Sequence, residues 1–299
     1  MNFTIANTLD EALAAMAAGA RPVAGGSDLV VGARQGKAPL PESVVAIDRI
    51  DSLGWIDATA GGVVVGALVT HADLEIDPII VDAYTALADA SALVGSPSTR
   101  NVGTLGGNVM NASPAMDTGA PLVVLGAEVE LQSTEGSRRL PVGELWTAPG
   151  RTSAQPAELC VAVHLPPRPA SSGSAYVRLE YRRAMEIAVV GAAASVVLDS
   201  RGALVSIAIA LTAVAPTILA VEAIDELLGR VVDSTLLAEV AELARRQAAP
   251  ISDLRASDTY RRHCVGVMAR RAVDAAARRA RGESIAVPVN RSLGIGAAS

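Results

Sequence analysis

Aromatic side chains are scarce in this chain of 299 residues, where they make up 2% of the sequence although 51% of the residues are hydrophobic. Alanine, valine and leucine must therefore fill the interior, which predicts closely packed backbones rather than bulky cores. Cysteine is scarce as well, with only Cys160 and Cys264. Two cysteines are too few for a disulfide framework, an iron–sulfur cluster or a cysteine-rich zinc site, so we expect both to be buried.

Positive charge is limited too. The formal net charge is −6, the isoelectric point is near 5.2, and Lys37 is the only lysine. A nucleic-acid-binding protein needs a basic surface to displace counterions from phosphates, so this class is excluded. No charged segment precedes an apolar core at the start of the sequence, and we expect a cytoplasmic protein. Residues 203–221 are apolar but are interrupted by Pro216 and polar residues, so we expect strand structure and no membrane span there.

The positions of the three histidines in the sequence match no functional motif. His71, His164 and His263 show neither metal-ligand spacing nor a partner arrangement for nucleophilic catalysis. We therefore expect all three to be structural. The sequence predicts no metal site and no catalytic residue that acts on an organic substrate.

Two glycine pairs are the most informative feature that is present. They lie in the segments Ala24 to Asp28 and Thr104 to Asn108. Adjacent glycines leave backbone N–H groups unshielded, so that a row of donors can close around an anionic group. The first pair follows a predicted strand and precedes a predicted helix, whose N-terminus favours a phosphate. Neither pair matches a Rossmann or P-loop fingerprint, and a tight turn is the alternative for either alone. Together they predict a dinucleotide site in which both loops hold one pyrophosphate.

Local patterns predict the elements that carry these loops. Thr8 and Glu11 form a capping box at the start of a helix, and turn residues 199–202 join two apolar runs into a buried hairpin. A segment of prolines and small residues at 166–173 is the best linker candidate. The predicted strands are 3–5, 21–24, 44–47, 63–66, 123–132, 159–165, 189–198 and 203–212. The predicted helices are 9–18, 28–35, 83–93, 218–228, 234–247 and 257–281, and residues 95–121 are predicted to form a long functional loop.

Several motifs in chain order carry a resemblance to a known family. They are Ala24 to Leu29, Gly66-Ala67 before Thr70, Arg100 to Asn108, Asp117, Tyr181-Arg182-Arg183 with Ala188, and Arg255 to Arg262. The chain resembles the FAD-binding medium subunit of the xanthine dehydrogenase and carbon monoxide dehydrogenase family over nearly its whole length. The resemblance implies an α+β, vanillyl-alcohol-oxidase-type fold. Its expected parts are FAD-binding subdomains at 1–55 and 56–169, a C-terminal domain of antiparallel strands and helices at 174–285, and a tail at 286–299.

The resemblance also implies which residues hold the flavin. The expected pyrophosphate ligands are Ala24, Gly25, Gly26, Ser27, Asp28, Thr104, Gly106, Gly107 and Asn108. Asp117 is expected at the adenosine end, although the residues alone are equally compatible with a helix N-cap there. Leu159 or Cys160 would approach the flavin side, and Arg178 or Tyr181 stands where relatives carry a lysine near the isoalloxazine. Since neither glycine motif contains His or Cys, we expect FAD to be bound without a covalent bond.

In this family the subunit works with partners. The resemblance implies a large subunit with molybdopterin, a small subunit with two [2Fe–2S] clusters, and a dimer of such heterotrimers, with electrons reaching the flavin last. Two alternatives stay open: a stand-alone FAD-dependent oxidase or reductase of the same fold, and a nucleotide-binding scaffold without catalytic activity. The arginine-rich helix at 257–281 is expected to present a solvated face, and a partner surface is the alternative.

Overall fold

The computed structural model describes residues 2–36 and 39–295. The first subdomain contains β1 (Asn2–Ile5), α1 (Leu9–Ala17), β2 (Arg21–Val23), α2 (Ser27–Arg34) and β3 (Ser43–Ala46). The strands form a parallel sheet in the order β1-β3-β2. The capping box is present, because Thr8 Oγ1 accepts from the Glu11 amide at 3.2 Å and Glu11 Oε2 accepts from the Thr8 amide at 3.3 Å. All five predicted elements of this region are confirmed.

The second subdomain is built on a five-stranded antiparallel sheet. Its elements are β4 (Ile56–Thr59), β5 (Gly62–Gly66), α3 (His71–Ile76), α4 (Pro78–Ala83), α5 (Thr85–Ser91), α6 (Pro97–Arg100), α7 (Leu105–Asn111), α8 (Gly119–Val124), β6 (Glu128–Ser133), β7 (Gly136–Pro141), α9 (Val142–Leu145), β8 (Trp146–Ala148), β9 (Arg151–Thr152) and β10 (Leu159–Leu165). The strand order is β4-β5-β10-β6-β7, and β8 pairs with β9. The central strand β10 contributes to two cores and so joins the two subdomains. Leu159 and Val161 pack toward α1, and Cys160 and Val163 pack toward the helices of the second subdomain, with an irregular register between Cys160 and Ala162.

The long loop predicted at 95–121 is wrong, since this segment contains α6, α7 and the start of α8. Ser96 Oγ accepts from the Thr99 amide at 3.2 Å, and Thr104 Oγ1 accepts from the Gly107 amide at 3.1 Å. Side-chain caps thus start helices in a stretch whose glycine content argues for a loop. The helix predicted at 83–93 is divided at Tyr84, and the strand predicted at 123–132 begins only at β6 because α8 continues to Val124.

The C-terminal domain packs helices on a four-stranded antiparallel sheet. It contains β11 (Ser172–Leu179), β12 (Val190–Leu198), β13 (Leu204–Thr212), β14 (Leu219–Ala220), α10 (Ser234–Gln247), α11 (Asp258–Ala280) and α12 (Val289–Ser292). The predicted hairpin is confirmed as β12 and β13, with Gly202 at φ +80°. The helix predicted at 218–228 is wrong, because β14 pairs with β13 there and only one 3₁₀ turn follows.

Small residues allow the close packing that the composition predicts. A β carbon on Gly173 would lie 2.2 Å from the carbonyl oxygen of Ala276, so α11 lies directly on β11. Both cysteines are buried and free, as expected. The arginine-rich face of α11 was predicted to be exposed to solvent, and only part of it is. Arg261 is buried, and Arg279 forms an ion pair with Asp89 at 2.6 Å.

Part of the predicted C-terminal tail forms a helix, and some residues lie outside the part of the chain that the structure describes. The segment expected as a tail includes α12, whose Val289 and Asn290 are buried, while residues 296–299 and Lys37 lie outside the described residues. Among the helices that the structure describes, none has the length and apolar character needed to cross a membrane.

Candidate functional site

The two glycine loops contact each other through their backbones. A β carbon on Gly25 would lie 1.7 Å from the carbonyl oxygen of Val102 and 3.2 Å from the Gly103 nitrogen. Any side chain at Gly25 would therefore separate the loops. On the other side of the contact, the β-carbon position of Gly103 lies 3.8 Å from Ser27 Oγ. The chain thus brings its two glycine motifs together, although they lie in different subdomains.

The first loop presents open backbone donors at the start of α2. Gly26 occupies the N-cap position with φ +66°, a conformation that favours glycine, and makes no side-chain cap. The first hydrogen bond of the helix runs from the Val30 amide to the Gly26 carbonyl at 3.0 Å. Within residues 2–36 and 39–295, the amides of Gly26, Ser27 and Leu29 have no acceptor. A helix N-terminus with such open amides attracts an anion.

The second loop has a different role from the one predicted for its amides. The Leu105 amide donates to Val69 O at 2.9 Å and the Gly106 amide to Ala67 O at 2.9 Å, while those of Gly107 and Asn108 donate to the Thr104 side chain and carbonyl. Gly106 is required for packing, since its β carbon would lie 2.6 Å from that of Ala67. The expectation that the amides of Gly106, Gly107 and Asn108 are open donors is wrong, because the cap of α7 and the Ala67 carbonyl use them. The second loop therefore borders the site, whereas the open amides of Gly26, Ser27 and Leu29 belong to the first loop.

Asp117 lies between α7 and α8 and is buried. Its Oδ1 accepts from the Tyr176 hydroxyl at 2.8 Å, and its Oδ2 accepts from Arg178 Nη1 at 2.6 Å. Burial raises the pKa of Asp117, and the Arg178 guanidinium opposes that rise. Arg178 is completely buried and also binds Glu180 at 2.7 Å. Both carboxylate oxygens of Asp117 therefore have protein partners, and its role at the adenosine end stays a prediction.

Leu159 and Cys160, the residues expected beside the flavin, are both buried. Their side chains point to opposite faces of β10 and belong to separate cores. Burial, together with the nearby Glu130, raises the pKa of the Cys160 thiol to about 12, so this cysteine is an inert hydrophobic side chain. The structure places both residues as supports of the sheet, and their approach to the flavin stays a prediction.

His71 and Val102 belong to the site and were not among the predicted ligands. The His71 amide donates to Gly103 O at 3.0 Å, and the ring Cδ2 lies 3.3 Å from the β-carbon position of Gly103. No local sequence pattern predicts the contact of His71 with Gly103, because it depends on how the 67–71 segment meets the chain that follows α6. An open groove of about 820 Å³ lies elsewhere in the second subdomain, along Val64, His164 and Arg139. The described residues contain no cluster of three or more potential metal ligands.

Two sequence families match the chain. The FAD-binding domain in molybdopterin dehydrogenase matches residues 1–168, and the CO dehydrogenase flavoprotein C-terminal domain matches residues 175–276. The carbon monoxide dehydrogenase medium chain of Afipia carboxidovorans is 35% identical over 263 residues, covering 88% of this chain and 90% of that protein. The xanthine dehydrogenase FAD-binding subunit of Escherichia coli O157:H7 is 29% identical over 266 residues, covering 88% and 91%.

A solved structure agrees with these matches. Carbon monoxide dehydrogenase from Hydrogenophaga pseudoflava superposes with a TM-score of 0.88 at 30% identity, covering 93% of this chain and 98% of that chain. Fold and site define an FAD-binding domain followed by a C-terminal domain of antiparallel strands and helices. The chain belongs to the family of FAD-binding subunits of xanthine dehydrogenase- and carbon monoxide dehydrogenase-type molybdenum oxidoreductases. The resemblance inferred from its motifs is confirmed, and so is the expected fold class.

Proposed function

We propose that this chain is the flavoprotein subunit of a heteromeric molybdenum hydroxylase. It would receive electrons from [2Fe–2S] clusters of a small partner subunit, which obtains them from a large molybdopterin subunit, and pass them through FAD to an external acceptor. Its relatives are named as medium chains or FAD-binding subunits, which supports a multi-subunit assembly. Since a [2Fe–2S] cluster needs four protein ligands, usually cysteines, the two cysteines here are too few and the clusters require a partner.

The backbone contact between Gly25 and Val102 is the observation that carries the flavin site. It brings the open amides of Gly26, Ser27 and Leu29 beside the frame formed by Thr104 to Asn108. We place the FAD pyrophosphate against these amides, where the dipole of α2 favours its negative charge. Asp117 and Arg178 would fix the turn between α7 and α8, and Leu159 and Cys160 would support the sheet behind it. When bound, FAD would supply the exchange between single electrons and electron pairs, while the residues at the start of α2 would bind and orient it.

The test compares the chain alone with the chain co-expressed with its genomic neighbours. The isolated chain should show a flavin spectrum, release the flavin on acid precipitation, and reduce no dye with an aldehyde, purine or N-heterocycle. The co-expressed chains should purify together and show substrate-dependent dye reduction. Dithionite should reduce the flavin of both samples, which shows that the flavin of each sample is redox-active.

Each alternative has its own signature in this test. Robust turnover by the isolated chain would support a stand-alone oxidase or reductase, and the absence of any bound flavin would support a nucleotide-binding scaffold. Colour that stays in the acid pellet would contradict non-covalent binding. Failure of the partner chains to co-purify with a flavin-loaded chain would contradict the proposed assembly while leaving the flavin site intact.

A further inference from the structure

A buried imidazole without partners lies under the junction of the two glycine loops. His71 is 1% exposed, and its Nδ1 is buried without a hydrogen-bond partner. In the part of the chain that the structure describes, the only hydrogen bond found for His71 beyond its helix is that of its backbone amide to Gly103 O. A buried polar group in this state needs an explanation, because leaving it unsatisfied costs about as much as a lost hydrogen bond.

The ring is oriented by the same loops that frame the site. Its Cδ2 lies 3.3 Å from the β-carbon position of Gly103, and that position lies 3.8 Å from Ser27 Oγ. Of the two ring nitrogens, Nε2 is the one bonded to Cδ2, the ring atom that lies against Gly103. The open amides of Gly26, Ser27 and Leu29 belong to the loop whose Gly25 contacts Val102.

The surroundings keep this ring neutral. Burial, together with the positive charge of nearby Arg100, lowers the pKa of His71 to about 4. Arg100 is held by Glu75 at 2.8 Å, so its charge stays near the ring. A neutral imidazole carries a single N–H. An anion at the contact between the two loops would favour the tautomer with this proton on Nε2, because the anion would accept a hydrogen bond from it.

We propose that His71 is a positioning residue for the cofactor, donating its Nε2 proton to the anionic group held between the two glycine loops. This inference rests on the proposed function, because it takes the FAD pyrophosphate to be that group. It gives one of the two ring nitrogens a partner in a place where the protein supplies none. An apolar ring would pack there without the unsatisfied nitrogens.

The test uses His71→Phe, which removes the donor and keeps a planar ring, and His71→Gln, whose Nε2 amide restores a donor. FAD affinity is measured by fluorescence titration of the flavin-free chain, and its unfolding temperature is measured without FAD. We expect His71→Phe to weaken FAD binding about tenfold, the size of a hydrogen bond to a charged group, and His71→Gln to stay within about threefold of wild type. The flavin-free His71→Phe chain should unfold at the wild-type temperature or above it.

Three results would overturn the inference. Wild-type FAD affinity in His71→Phe would show that no hydrogen bond reaches the cofactor. Equal losses of affinity in both variants, with a lower unfolding temperature of the flavin-free chain, would show that His71 only supports the fold. A wild-type chain that binds no FAD would overturn the proposed function and this inference with it, and this outcome is distinguishable because it needs no variant.

Discussion

Arg178 of β11 reaches across from the C-terminal domain to Asp117 of the FAD-binding domain, with 2.6 Å between its Nη1 and the carboxylate Oδ2. Removal of one partner from a buried ion pair leaves an uncompensated charge. We therefore expect Arg178→Leu to lower the free energy of unfolding of the flavin-free chain by about 3 kcal/mol in denaturant titrations.

The neighbouring ion pair between Arg182 and Glu186 is a matched control, because the Arg182 side chain is 67% exposed. Arg182→Leu should change the free energy of unfolding by about 1 kcal/mol or less, since exposed pairs contribute little. Equal effects of the two substitutions would show that the Asp117–Arg178 pair does not hold the two domains together.

Substitutions of Ser27, at the start of α2, test FAD binding separately from folding. Asp is favourable in the first turn of a helix, so Ser27→Asp should leave the flavin-free chain as stable as wild type. Its carboxylate would repel the pyrophosphate at the open amides of Gly26, Ser27 and Leu29, and we expect FAD affinity to fall by about 30-fold or more. Ser27→Ala should stay within about threefold, because the amides remain open. Fluorescence titration decides, and unchanged binding in Ser27→Asp would place the anion elsewhere.

Gly25 tests the contact between the loops. Gly25→Ala places a β carbon 1.7 Å from Val102 O, so the loops must separate, and we expect FAD binding to be lost together with about 1 to 3 kcal/mol of stability. Gly32 is the control, since a β carbon there meets nothing within 4 Å and the residue lies inside α2. Gly32→Ala should raise stability by about 0.5 to 1 kcal/mol and keep FAD binding. Wild-type affinity in Gly25→Ala would contradict the two-loop site.

His71 should make the chain sensitive to acid. Its pKa falls from 6.5 to about 4 on folding, so between these pH values the unfolded state binds a proton that the folded state does not. Stability from this residue is fully present above pH 6.5 and is lost as the pH falls to about 4, for a total of about 3 kcal/mol. Asp89 and Asp117 titrate in wild type and in His71→Phe alike, so the difference between the two unfolding curves isolates His71. A difference that does not vary with pH would contradict this assignment.

Local sequence signals predicted the elements that begin or end with a clear residue. The capping box of Thr8 and Glu11 predicted α1, and the turn that ends at Gly202 predicted the hairpin of β12 and β13. The prediction for residues 218–228 failed because pairing with β13 outweighs the helical preference of the segment. The caps of α6 and α7 were hidden in a segment rich in glycine.

The sequence predicted that the two glycine loops meet, which the structure shows, but it did not predict how they meet. The spacing of glycines predicted that both loops serve one anion, but it could not show which amides remain open, because Ala67 and Val69 take those of the second loop. The Asp117–Arg178 pair and the approach of Val102 to Gly25 depend on contacts between distant segments. Such contacts leave no periodic signal in a single sequence.

The contact of the Val102 carbonyl with Gly25 should affect how quickly the chain is degraded in a cell. A ligand that binds only when the two subdomains are docked favours the docked form by mass action, in proportion to its free concentration. Proteases cleave the opened form, so the lifetime of the chain should follow the supply of flavin. In a cell starved of riboflavin, the amount of this protein would then fall along with its activity.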